Sequence, residues 1–279
     1  MWGDQAAVIY MRAMSPAKVR CPSMEGPDAM TIHRRAPAGM PVTRTLAHPE
    51  PVRPPVASLP RHRSIVALDI EQSTSRPDPA KAELRSALYD LFSQALLMTG
   101  IGGRHRDRFT DRGDGLLALI HPVDQAPKAL LLSRTIPALG ELLADYNAAI
   151  SPRDRPGRQL RVRVVMHAGE VHYDSNGCFG EALDIAFRLL DAPHVKKALR
   201  ATAEPLTLVI SGEIYHTVVR HGHDHIDRHG FRSLVRVHIA GNRYAGWIYI
   251  PEATRQSEVT EITRYKHTAR GDVMPWRSA

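Results

Sequence analysis

Two carboxylates set on rigid backbone are the first residues in this chain whose type and surroundings point to chemistry. Asp114 lies in Arg112-Gly-Asp-Gly115, between strand-forming runs. An Asp-Gly step in that setting marks a tight hairpin turn, because glycine accepts the positive φ the turn needs. The carboxylate is then left at the tip. Asp69 ends the apolar run Ser64-Ile-Val-Ala-Leu-Asp69-Ile70, which has strand length and almost no polar interruption. Such a run reads as a strand buried on both faces, with the acid at its carboxyl end. Either feature alone is equally a turn or a strand-end cap. Together they offer hard oxygen ligands to divalent cations, and two neighbouring carboxylates are the arrangement used for two-metal phosphoryl and nucleotidyl transfer. Glu71-Gln72-Ser73-Thr74 and Pro77 follow Asp69 and open a helical pattern, whose first N–H groups can hold phosphate.

A second pair lies further along. Asp184 and Arg188 are four apart in a helical segment, so they share one face, either as a surface ion pair or as groups presented to a ligand. Four stretches occur in order: Asp69-Ile-Glu-Gln-Ser-Thr74, Arg112-Gly-Asp-Gly115, Val164-Val-Met-His-Ala-Gly-Glu-Val171 and Gly180-Glu-Ala-Leu-Asp-Ile-Ala-Phe-Arg-Leu-Leu190. In this order, residues 61–251 resemble the class III nucleotidyl cyclase catalytic domain, the adenylate and guanylate cyclase type. The resemblance implies that Asp69, Asp114 and the backbone carbonyl of Ile70 hold two Mg2+ or Mn2+ ions against a nucleoside triphosphate. Ser73 and Thr74 would help to hold phosphate. Arg188 falls on the arginine that stabilises charge on the reacting phosphate. Asp184 stands where the family has an asparagine that orients the ribose, and Gln72 where it usually has glycine. Thr110 and Gly177 occupy the two base-reading positions and match neither purine code; Cys178 stands beside Gly177. Arg243 is a candidate phosphate contact from the last hairpin. The family's sites form between two chains, so the resemblance implies a homodimer in which one chain gives Asp69 and Asp114 and the other Asp184 and Arg188. Two functions follow as expectations: a cyclase releasing pyrophosphate and a 3′,5′-cyclic nucleotide, or a catalytically silent module that binds nucleotide or protein.

The elements that must position these residues are legible in outline. After the first strand, Pro77-Asp78-Pro79 starts a helix with Asp78 as N-cap and a stripe of Leu84, Leu88, Leu91, Phe92, Ala95 and Leu96. Gly100 to Gly103 ends it. The hairpin follows, then a second helix from Ala126 to Ile150 in which Pro137 predicts a kink. Gln159 to His167 is a strand. This order is the β-α-β-β-α-β core of a ferredoxin-like α/β sandwich. A C-terminal α/β extension comprises a third helix over 180–200, a strand at Leu206–Ser211, a short helix from Ser211 and a hairpin of Val235–His238 with Trp247–Ile250.

Composition sets outer bounds. The chain has 279 residues, 43% of them apolar, and contains no run near the eighteen apolar residues a membrane span requires. The formal net charge of +8 is spread along the chain, without a basic helix or interleaved aromatics, which argues against a nucleic-acid partner and is compatible with mild attraction of a triphosphate. Cys21 and Cys178 have no CxxC partner, so a reducing cytoplasm is the simplest setting. Residues 1–60 hold ten of the 21 prolines and read as a disordered arm, part of which could precede an alternative start among Met11, Met14, Met24, Met30 and Met40. Residues 252–279 read as a polar tail. His221-Gly-His-Asp-His225 has metal-ligand residue types but the position of a solvated connecting loop.

Overall fold

The computed structural model describes residues 59–251. The expected N-terminal arm, apart from its last two residues, and the tail from 252 lie outside the described residues. In chain order the elements are β1 (Arg61–Ile70), α1 (Asp78–Met98), β2 (Thr110–Asp111), β3 (Gly115–Ile120), α2 (Lys128–Leu130), α3 (Ile136–Ala148), α4 (Arg155–Arg158), β4 (Val162–Asp174), β5 (Gly177–Phe179), α5 (Glu181–Leu190), α6 (Pro193–Arg200), β6 (Leu206–Ser211), α7 (Gly212–Thr217), β7 (Phe231–Ile239) and β8 (Asn242–Tyr249).

The strand order is β2-β3-β1-β4-β6-β8-β7, with β5 folded back on β4. β1 runs antiparallel to both β3 and β4, and β3 antiparallel to β2. That is the ferredoxin-like arrangement the sequence predicts. β6 adds to β4 in parallel through α5 and α6, and the β7–β8 hairpin completes the far edge. The apolar β1 run is buried on both faces as expected: Val66, Leu68 and Ile70 pack with α1 and α3, while Ile65 and Ala67 pack with α5 and α6. Strict alternation of side chains divides one strand between two cores.

Several boundaries differ from the sequence expectation, each for a physical reason. α1 begins at Asp78 with Pro77 as its cap, and Asp78 pairs with Lys81 at 3.1 Å instead of bonding a backbone amide. The second helix is interrupted by a π-helical stretch at Leu131–Thr135 just before Pro137. Proline supplies no N–H to the i−4 carbonyl, so the ladder is disturbed there. The single helix expected over 180–200 is two, α5 and α6, divided ahead of Pro193. β4 runs past His167 to Asp174 because its later residues pair with the start of β1 and with β5. The final hairpin is likewise longer, at Phe231–Ile239 and Asn242–Tyr249.

Candidate functional site

The first strand and the hairpin bring the two carboxylates together. Asp69 is the register partner of Gly115 across the β1–β3 pair, and the Ile70 amide donates to the Asp114 carbonyl at 3.0 Å. Gly113 has φ 79°, which the tip requires. Gly115 is fixed for a different reason: a Cβ there would lie 2.0 Å from the Leu68 carbonyl oxygen. Asp111 closes the turn by accepting from the Gly113 amide at 2.7 Å and from Arg85.

Asp69 and Asp114 line one cleft of about 440 Å³ with Ile70, Gln72, Ser73 and Thr74. The turn after β1 is a short 3-10 segment, Ser73–Ser75, entered through Gln72 at φ 56°. A left-handed residue costs an L-amino acid free energy that glycine escapes, which gives a physical meaning to the glycine expected at that position.

The Asp69 carboxylate is nearly buried, with 16% of its side chain exposed. Its Oδ2 accepts from the guanidinium of Arg163, the residue opposite it on β4. Its Oδ1 is buried with no hydrogen-bond partner. A buried orphan oxygen is costly, and an ion is one way to satisfy it. The donor set fits hard divalent cations: two carboxylates and backbone oxygen, with room for phosphate oxygens to complete the coordination. Among the described residues no cluster of three or more His, Cys, Asp or Glu side chains is arranged for a metal.

Arg163 is a charged residue of the cleft that the sequence did not single out. Burial pushes its guanidinium pKa down, Asp191 opposes that shift and Arg200 adds to it. The cleft also contains Arg112, stacked over the Phe187 ring at 4.1 Å, and Lys196, paired with Asp191 at 2.8 Å. Carboxylates and cations thus face each other across one hollow.

Asp184 and Arg188 are exposed on α5 and do not line the cleft, although Phe187 and Asp191, on the same stripe, do. Among the described residues they form no ion pair with each other or with any other group. Thr110 is exposed on β2, also away from the cleft. Its hydroxyl meets the thiol of Cys178; Gly177, the residue singled out from the sequence, precedes it. Burial is the main cause pushing that thiol's pKa up. Arg243 lies on β8 and lines another hollow with Glu170, Glu181 and Glu213, one whose lining includes neither Asp69 nor Asp114. That hollow also contains His167, whose Nδ1 is 2.8 Å from Ser211 Oγ; burial lowers its pKa to about 4. In the histidine-rich loop, Asp224 is tied to Arg134 at 3.1 Å and bonded to Ser133, which agrees with the loop reading.

Comparison of the coordinates with solved structures finds nucleotide cyclases. The fold is similar to that of nucleotidyl cyclase catalytic domains. The guanylyl cyclase Cya2 is 14% identical, with 70% of this chain and 96% of that chain covered, at a TM-score of 0.48. The catalytic core of a rhodopsin-guanylyl cyclase in complex with ATPalphaS is 12% identical, with 70% and 98% covered, at 0.46. The adenylyl cyclase CyaB from P. aeruginosa is 14% identical, with 69% and 96% covered, at 0.44. No family model matches the chain, and no curated protein matches it. Among the described residues, no helix is long and apolar enough to cross a membrane.

Proposed function

We propose that this protein is a metal-dependent nucleotide cyclase that converts a nucleoside triphosphate to a 3′,5′-cyclic nucleotide and pyrophosphate. The observation that carries the reading is the buried, half-partnered carboxylate of Asp69 beside the hairpin-borne Asp114 in one cleft with cationic walls. Two divalent ions held there by Asp69, Asp114 and the Ile70 carbonyl would lower the pKa of the ribose 3′-hydroxyl and steady the leaving pyrophosphate.

The chain's own groups divide the remaining work. Asp69 and Asp114, as ligands of those ions, would set where the α-phosphate end lies. Arg163 neutralises Asp69 here, and its guanidinium would be available to phosphate oxygens once Asp69 served as a metal ligand. Ser73 and Thr74 border the same end of the cleft and offer main-chain and hydroxyl donors. Arg188 is the candidate for charge developing on the reacting phosphate. Its exposure outside the cleft supports the reading in which a second copy of the chain brings Asp184 and Arg188 to the site. On that arrangement the working unit is a head-to-tail homodimer.

A second reading has one specific observation in its favour. Asp184 stands where the resemblance expects the amide that orients the ribose for attack, and a carboxylate there cannot donate a hydrogen bond as that amide does. A catalytically silent, nucleotide-binding regulator would tolerate that. The two readings separate when purified protein is incubated with Mn2+ and each of the four ribonucleoside triphosphates and products are identified by mass. Cyclic nucleotide that disappears in Asp69→Ala and Asp114→Ala supports the enzyme; triphosphate binding without product supports the regulator.

A further inference from the structure

A second group of cations adjoins the carboxylate cleft from α6. A hollow of about 260 Å³ is lined by Glu71, Gln72, Arg163, Lys196 and Arg200. It shares Gln72, Arg163 and Lys196 with the main cleft, so the two hollows adjoin. The placement follows from α6 itself. Val195 and Leu199 are fully buried four residues apart and pin the helix to the sheet. Lys196 and Arg200, one position later, share the next stripe of that helix.

The charge of this end is positive. Glu71, its one carboxylate, is already engaged by Arg161 at 2.9 Å. Lys196 pairs with Asp191, but that carboxylate is 72% exposed, so the pair is readily exchanged. Arg200 has no ion-pair partner among the described residues. It lines the same small hollow as Arg163. Like charges collected beside a cleft repel each other until an anion arrives. Three cations around so small a hollow suit a compact polyanion, whereas a nucleic-acid strand needs an extended basic track.

We propose that α6 is the polyphosphate clamp of this chain: Lys196 and Arg200, beside Arg163, hold the outer two phosphates of a triphosphate whose inner phosphate lies at Asp69 and Asp114. The inference rests on the nucleotide reading of the same cleft. Arg200 supplies a planar fork for two phosphate oxygens, and Lys196 a point charge that leaves Asp191 for the ligand. The step is an exchange of ion pairs, with no covalent change.

The test uses the full chain and titration calorimetry with two probes: inorganic tripolyphosphate without metal, and a non-hydrolysable nucleoside triphosphate with Mn2+. Lys196→Ala/Arg200→Ala should weaken both by on the order of tenfold per cation removed, while a nucleoside monophosphate is unaffected. Arg200→Lys should recover part of the loss, which a general folding defect would not allow. If the nucleotide binds with Mn2+, is lost in Asp69→Ala and is indifferent to Lys196 and Arg200, the clamp is overturned and the nucleotide site stands. If tripolyphosphate binding depends on α6 but no nucleotide binds, the clamp is an anion site and the nucleotide reading fails. If neither probe binds the natural protein, both fall.

Discussion

Replacing Arg163 by leucine should destabilise the metal-free protein by about 3 kcal/mol. The figure comes from the partners Arg163 and Asp69, whose side chains are 12% and 16% exposed. Removing one member of a buried ion pair leaves the other uncompensated and typically costs ~3–5 kcal/mol. The lower end applies because Arg112 and Lys196 line the same cleft and offset part of the bare charge. For a domain of this size that is a fall in melting temperature of roughly 6–12 °C. Asp69→Asn in the Arg163→Leu background removes the orphaned charge and should recover all but ~1 kcal/mol. Mn2+ should raise the melting temperature of Arg163→Leu more than that of the natural protein, because the ion no longer competes with a guanidinium for Asp69. Thermal melts by circular dichroism at pH 7, with EDTA and with Mn2+, measure all three. A cost below ~1 kcal/mol, or a double variant as unstable as Arg163→Leu, would refute the view that Asp69 is a buried charge in need of a cation.

Four further outcomes follow from the same coordinates. Gly115→Ala drives a methyl to 2.0 Å from the Leu68 carbonyl oxygen and should cost at least ~3 kcal/mol of stability; a melt within 2 °C of the natural protein would contradict this close approach. Gln72→Gly relieves a φ of 56° and should stabilise by ~0.5–1 kcal/mol in urea titration, whereas a lowered midpoint would mean the glutamine side chain is needed. His167 is neutral in the fold, with its pKa lowered from 6.5 to about 4, so the unfolded chain binds its proton first. Stability should therefore be full above pH ~6.5 and fall by on the order of 3 kcal/mol down to pH ~4, a slope that His167→Gln should flatten. In any active preparation, Arg188→Ala should lower turnover on the order of a hundredfold, and Asp184→Asn should raise it by removing an anion near the triphosphate; loss of activity in Asp184→Asn would give the acid a role of its own.

The parts of this protein that were legible from sequence are those dictated by near-neighbour physics. The apolar run of β1 is a two-faced buried strand as read, and Gly-Asp-Gly after Arg112 turns sharply, although the positive φ falls on Gly113 and not on the glycine after the aspartate. The stripe of α1 and the start of a short helix at Ser211 follow from local sequence, and the Ser211 side chain caps α7 by accepting from the Ile214 amide. What was missed depends on register between strands distant in sequence. Nothing near Arg163 in the chain announces Asp69; only the β1–β4 pairing sets them opposite each other. The Thr110–Cys178 contact is a similar case. The sequence pointed to Gly177, but the residue whose side chain meets Thr110 is the next one along β5. Lys196 and Arg200 lie on a helix of their own, α6, and the sequence signal for that break is Pro193 at its start.

The account turns on whether Asp69 and Asp114 hold metal with a triphosphate. Mn2+ bound to the full chain can be counted directly by electron paramagnetic resonance, with and without a non-hydrolysable nucleoside triphosphate. The account predicts that the nucleotide raises the bound ions to two per site and that Asp69→Asn and Asp114→Asn each abolish that increase. Mn2+ binding that ignores the nucleotide, or survives in both variants, would contradict it.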